Sequence, residues 1–241
     1  MSLLQYIKPE DFYVPVKPSS YGTGQFCRII VPIIEKIPSI LDIQRDSPTE
    51  HSLTAFKVRK AGQHTDFRRV LPLKYLNLRS NEELLIQRSK YRPGVIMNPR
   101  LDFDPDLFKL LRNRSKTHLL EDSLFVAPCY SVQADDFDTG VPLEMSERVK
   151  CLLYSQFFYC AANYTFRQTE GILRFDRIQV VVGRHPAAIQ PLPYALSEEA
   201  FSIFRAMFLF CITGEQDEDL KILRELLKDS YLSALAAHAH P

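Results

Sequence analysis

This chain of 241 residues lacks most of the signals that announce a chemistry. It has no Cys-x-x-Cys pair, and its five cysteines, Cys27, Cys129, Cys151, Cys160 and Cys211, are odd in number. That argues against a disulfide framework and against a zinc site. Its six histidines are scattered along the chain, so no metal-ligand cluster emerges. There is no Walker loop, no Gly-x-Ser-x-Gly and no Gly-x-Gly-x-x-Gly, which points away from nucleotide hydrolysis, serine hydrolysis and dinucleotide chemistry. The expectation is a protein without metal or cofactor. The first sixteen residues, MSLLQYIKPEDFYVPV, have neither a basic start nor a long apolar core and do not read as a signal peptide. The most apolar later stretch, residues 200–213, contains Arg205 and is too short to cross a bilayer. A cytoplasmic protein with no membrane partner is expected.

An excess of charge is also missing. Thirty Lys and Arg face 29 Asp and Glu, a net charge of +1, so no global attraction to nucleic acid is implied. The distribution is less even. Residues 68–116 hold twelve Lys and Arg against five Asp and Glu, and from Glu121 to Glu147 every charge is acidic. Such asymmetry creates a local basic surface on a neutral protein. With hydrophobic residues at 46%, a packed core is expected.

Residues 1–60 carry six prolines and no sustained helical period, and read as an irregular N-terminal extension, with a strand over residues 26–34 interrupted at Pro32. Residues 61–214 read as the main domain, α+β and mainly β. Strands are expected at 71–78, 83–87, 94–98, 124–128 and 171–182. In the last of these the apolar positions change parity near Asp176–Arg177, so a bulge or sharp bend is expected there. Inserts are expected at 99–120, with a helix opening at Asp104–Pro105, and at 135–169, where CLLYSQFFYC fits helix or strand equally. Ser197 can cap a helix running to Thr213, with Glu198 and Glu199 at its positive end and Gly214 to stop it. Residues 215–241 form a C-terminal helical tail.

The stretch EELLIQRSKYRPGVIMN, residues 82–98, reads as two apolar strands around a basic loop carrying Arg88, Lys90 and Arg92. A loop of this composition is a ready phosphate contact. With it, three segments in order resemble the MazF/PemK family of toxin endoribonucleases: KYRPGVIMN (90–98), LFVAPCYSVQ (124–133), and TEGILRFDRIQVV (169–181) followed by the helix at 196–214. The resemblance implies an SH3-like small β-barrel with helical inserts and C-terminal helices, often a homodimer. It also implies metal-independent cleavage of single-stranded RNA by attack of the ribose 2′-OH. Such chemistry asks for a cation at the phosphate and for proton transfer.

On that resemblance the catalytic residues are Arg92, at the family's arginine, and Ser131 with Tyr130, at its hydroxyl-bearing turn. Tyr130 stands where the family has threonine, and a phenol is a poor base at neutral pH. Arg88, Lys90, Arg100 and Arg177 are the implied RNA contacts, with an antitoxin or another protein as partner. Read as residues alone, Arg92 fits a hairpin cap as well as a catalyst, and Asp176–Arg177 fits a surface ion pair. A catalytically inactive barrel that binds protein or nucleic acid is therefore the standing alternative.

Overall fold

The computed structural model describes residues 2–44, 55–62, 66, 78–79, 82–98, 104–114, 116–120, 122–133, 140–183 and 185–238. Along the chain the helices are α1 (Leu3–Tyr6), α2 (Pro105–Asn113), α3 (Leu143–Lys150), α4 (Glu198–Thr213) and α5 (Glu218–His238). The strands are β1 (Tyr13–Pro15), β2 (Gln25–Pro32), β3 (Ser39–Gln44), β4 (Ala55–Lys60), β5 (Leu85–Ile86), β6 (Ser89–Ile96), β7 (Ser123–Ser131), β8 (Phe157–Cys160), β9 (Gly171–Arg174), β10 (Gln179–Val182) and β11 (Ile189–Leu196). The protein is α+β, with more strand than helix, and the registered strand pairs are antiparallel. The chain divides into two compact units, one of residues 1–30 with 91–241 and one of residues 31–90.

The larger unit is built on a sheet of order β1-β11-β2-β6-β7-β9-β8, with β10 also paired to β7. This path is open, and no closed barrel forms among the described residues. Strand β7 is the hub. Its middle pairs with β6, Gly94 opposite Pro128 and Ile96 opposite Val126. Its other edge takes β9 at the end near Ser131 and β10 at the end near Ser123. The join between β9 and β10 is a 3₁₀ turn at Phe175–Arg177, at the place where the apolar alternation slips. The bend is as expected, but its outcome differs in one respect. Val181 is the buried valine of β10, while Val180 and Val182 lie half exposed. Buried Leu173, Phe175 and Val181 share one parity, so the expected shift of the core face to Val180 and Val182 does not occur.

The core fills with aromatic rings, because few other side chains remove so much apolar area from water. Phe26 stacks on Tyr194 at 4.9 Å and Tyr194 on Phe166 at 4.8 Å. Phe204 of α4 meets Phe158 edge-on at 5.4 Å and Phe175 at 5.1 Å. Leu3, Ile7, Phe12 and Phe26, all from the Pro-rich start of the chain, are fully buried in this cluster. The proline breaks shorten the elements there without keeping them out of the core. Within CLLYSQFFYC, residues 151–160, which fits helix or strand equally by periodicity, the last four residues form β8, and α3 ends just before the stretch.

Helix α4 forms where its caps predict. Ser197 Oγ accepts the Ala200 amide at 3.3 Å, and Gly214 takes the left-handed conformation that ends the helix. It buries Ala200, Ile203, Phe204 and Met207, the i, i+3, i+4, i+7 stripe of a helix lying on a sheet. Helix α2 starts at Asp104, whose carboxylate accepts the amides of Asp106 and Leu107.

The smaller unit holds the sheet β4-β3-β5. Strands β3 and β4 pair over six residues, Ser39 opposite Lys60 through Gln44 opposite Ala55. Arg59 bonds Asp66 at 2.9 Å and Asp42 at 3.3 Å across one face. The hairpin expected between residues 84–87 and 94–97 is not formed. Leu85–Ile86 pairs with β3, whereas β6 pairs with β2 and β7. The basic run that would have been the reversing loop is itself extended, from Ser89 through Arg92, so the chain runs straight on. The strand expected at residues 71–78 lies almost wholly outside the described residues.

Candidate nucleic-acid contact site

The site grows from the register of three strands. In the β6–β7 ladder the paired residue numbers sum to 222, so the line beyond Gly94–Pro128 sets Arg92 opposite Tyr130. Directly opposed side chains on one face of an antiparallel pair touch, and the Arg92 guanidinium lies over the Tyr130 ring, 4.3 Å from its centroid. On the other edge of β7, Tyr130 pairs with Ile172 of β9. Arg174, two residues on, is therefore its diagonal neighbour, and its guanidinium stands 5.3 Å from the same ring. Arg174 is also registered against Phe157 of β8, with its guanidinium 5.5 Å from that ring. One phenol thus gathers two cations from the two strands that flank it.

Gly94 makes the close approach of β6 to β7 attainable. A Cβ at that position would lie 2.7 Å from Val126 Cγ1 and 2.8 Å from the Ala127 carbonyl oxygen. No side chain fits there, and the strands close up beside Arg92.

The 3₁₀ turn after β9 brings a carboxylate to the same edge. Arg174 Nε donates to Asp176 Oδ1 at 3.0 Å, and a second Arg174 nitrogen donates to Oδ2. Arg177 Nε lies 3.6 Å from that Oδ2. The hydrogen bonds to Asp176 strengthen Arg174's hold on its proton, and partial burial opposes them. Asp176 is thereby engaged as an acceptor on both oxygens. Guanidinium N–H groups lie in the plane and point outward, so Arg92 keeps donor capacity while held over the ring, whereas Arg174 spends two of its nitrogens on Asp176. The arrangement can grip phosphate and offer planar surfaces to an unstacked base.

The remaining residues expected at the site fall as follows. Ser131 follows Tyr130 on the same strand, so it points to the opposite face, away from Arg92; it is exposed. Arg88 and Lys90 are exposed and belong to the smaller unit. Arg177 sits in the turn beside Asp176, in the ion pair that its bare sequence suggested. Arg100 lies outside the described residues. Arg174 was missed by sequence reasoning. Only the β7–β9 register reveals it, since nothing in the string GILRF marks an arginine two places beyond the partner of Tyr130.

No group of three or more His, Cys, Asp or Glu among the described residues is placed to hold a metal ion. No helix among them is long and apolar enough to cross a membrane. Compared with protein-family models, with curated proteins and with solved structures, the chain finds no match.

Proposed function

We propose that this protein binds single-stranded RNA at Arg92, Tyr130 and Arg174 without cleaving it. The observation that carries the reading is the pair of guanidiniums over the Tyr130 ring, at 4.3 and 5.3 Å. Aromatic and arginine planes beside cationic donors are the parts from which single-strand sites are made. Binding is favoured over cleavage for two reasons. Transphosphorylation needs a group that takes the 2′-OH proton within reach of the cation at the phosphate. Ser131 faces away from Arg92, and Asp176 is occupied by Arg174 and Arg177. The MazF/PemK resemblance enters this proposal through its site, in which an arginine of one strand meets the middle strand. The SH3-like barrel that it also implies would need the two ends of the sheet path to join. An antitoxin-like protein partner belongs to the enzymatic alternative.

The test is fluorescence anisotropy with a labelled single-stranded RNA in EDTA, titrated at several salt concentrations, with product analysis of the same samples. Tyr130→Ala should weaken binding by roughly 1–3 kcal/mol, the usual worth of one stacked base. Arg92→Ala should lower the salt slope by about one counterion as well. Intact RNA bound equally well by both variants rejects the site. Cyclic-phosphate ends that vanish in Arg92→Ala would show an endoribonuclease instead.

A further inference from the structure

The cation–ring contacts that begin at Arg92 and Tyr130 do not stop at Arg174. Its guanidinium also stands 5.5 Å from the Phe157 ring, and Phe157 meets Tyr154 edge-on at 6.1 Å. Tyr154 Oη in turn accepts a hydrogen bond from Arg148 Nη1 at 3.2 Å. A continuous strip of cations and rings therefore runs from Arg92 on β6, across β7, β9 and β8, to Arg148 on α3. Every link lies within the larger unit.

The far end of the strip is held in place. Helix α3 ends at Lys150, and the chain turns back toward β8 through Leu152, whose φ of 52° is left-handed. Arg224 Nε of α5 donates to the Leu152 carbonyl at 2.8 Å, which fixes the turn that carries Tyr154. Arg148 Nε donates to Tyr231 Oη of α5 at 3.4 Å. Phe157, 9% exposed, is the buried joint, while Tyr130 and Tyr154 are half-buried and Arg148 is exposed.

Charge along the strip is uneven. Arg174 is matched by Asp176. Arg148 bonds two phenol oxygens and has no carboxylate partner among the described residues. A phenol carries no counter-charge at neutral pH, and the remaining guanidinium N–H groups are open to an acceptor. Arg92 likewise lies over a ring without a carboxylate partner among the described residues. An uncompensated guanidinium thus stands at each end, with Tyr130 and Tyr154 between them. Cations that take backbone phosphates, spaced by rings that take bases, are the parts of a single-strand path.

We propose, on the reading that Tyr130 is an RNA contact, that the bound strand runs on along this strip, with a second base on Tyr154 and a second backbone phosphate on Arg148.

Fluorescence anisotropy with a labelled oligouridine in EDTA, over a salt series, tests the path on the intact chain. Arg148→Gln keeps donors for the two phenols and removes the charge. It should lower the slope of log K against log salt by about 0.7, one phosphate's share on a single strand. Arg148→Lys should restore that slope. Tyr154→Leu keeps an apolar contact for Phe157 and removes the aromatic plane, and it should weaken binding by roughly 5-fold or more, the worth of one stacked base. Tyr231→Phe removes only the bond to α5 and should leave affinity and slope unchanged. Circular dichroism checks that each variant is folded. Arg148 and Tyr154 variants that bind like the native protein, while Tyr130→Ala binds more weakly, overturn the path and leave the Tyr130 site standing. Binding that Tyr130→Ala does not alter, or no binding by the native protein, removes site and path together. A loss in Arg148→Gln that Tyr231→Phe reproduces would show a role in holding α5 and overturn the path. Polyglutamate that competes as well as unlabelled oligouridine would mark a surface for acidic protein and overturn it too.

Discussion

Replacing Gly94 by alanine probes the contact on which the candidate site is built. The new methyl would lie 2.7 Å from Val126 Cγ1 and 2.8 Å from the Ala127 carbonyl oxygen. Carbon atoms rest at about 3.5–4.0 Å, so β6 must move away from β7 by roughly an ångström. Overpacking of this kind costs about 1–3 kcal/mol. The loss of glycine's freedom in the unfolded chain returns about 0.4–1 kcal/mol. The net expectation is a protein destabilised by about 1–2 kcal/mol. Urea denaturation measures it, as a lower midpoint with an unchanged slope. The displacement also draws Arg92 off the Tyr130 ring, so RNA affinity should fall even where the protein is fully folded. Gly22→Ala is the control. Its Cβ would meet only Ser20 Oγ, at 3.8 Å, so it should leave stability unchanged or raise it slightly. A Gly94→Ala protein as stable as the native one would refute the tight β6–β7 approach and the account of Arg92 that rests on it.

Two further outcomes are expected. Phe204→Ala removes a ring that touches Phe158, Phe175 and Phe201, and should cost about 3–5 kcal/mol of unfolding free energy, read by chemical denaturation; a loss under 1 kcal/mol would show that α4 does not anchor the core as described. Burial pushes the Cys27 thiol from 9.0 up to about 12. The unfolded chain then releases this proton first as pH rises, so the group's contribution is complete below about pH 9 and is lost progressively toward pH 12. Stability measured against pH should therefore fall less steeply over that window in Cys27→Ala than in the native protein, and identical slopes would contradict a buried, protonated thiol.

The chain declares much of its local structure. Ser197, the two glutamates after it and Gly214 mark both ends of α4, because caps act through neighbouring backbone groups. Asp104–Pro105 opens α2 for the same reason. The parity slip near Asp176 marks the place of the 3₁₀ turn, but not which valines of β10 are buried after it, since Val181 rather than Val180 and Val182 goes inside. Pairing is another matter. Leu85–Ile86 and β6 are close in sequence and each suits a hairpin, yet they join different sheets. Partner choice depends on which distant strand offers a complementary edge, and that information is spread over the whole chain.

The candidate site divides along the same line. Arg92 and Tyr130 could be named from sequence, because each stands at a recognisable place in a short motif. That Arg92 reaches the ring, that Ser131 turns away from it and that Arg174 joins them are consequences of the β6–β7–β9 register. Residue types and their spacing set what each strand can present. Only the packing of strands against one another decided which of those groups share a face, because a ladder brings together residues some 40 positions apart and a shift of one residue would have sent each of them to the other side.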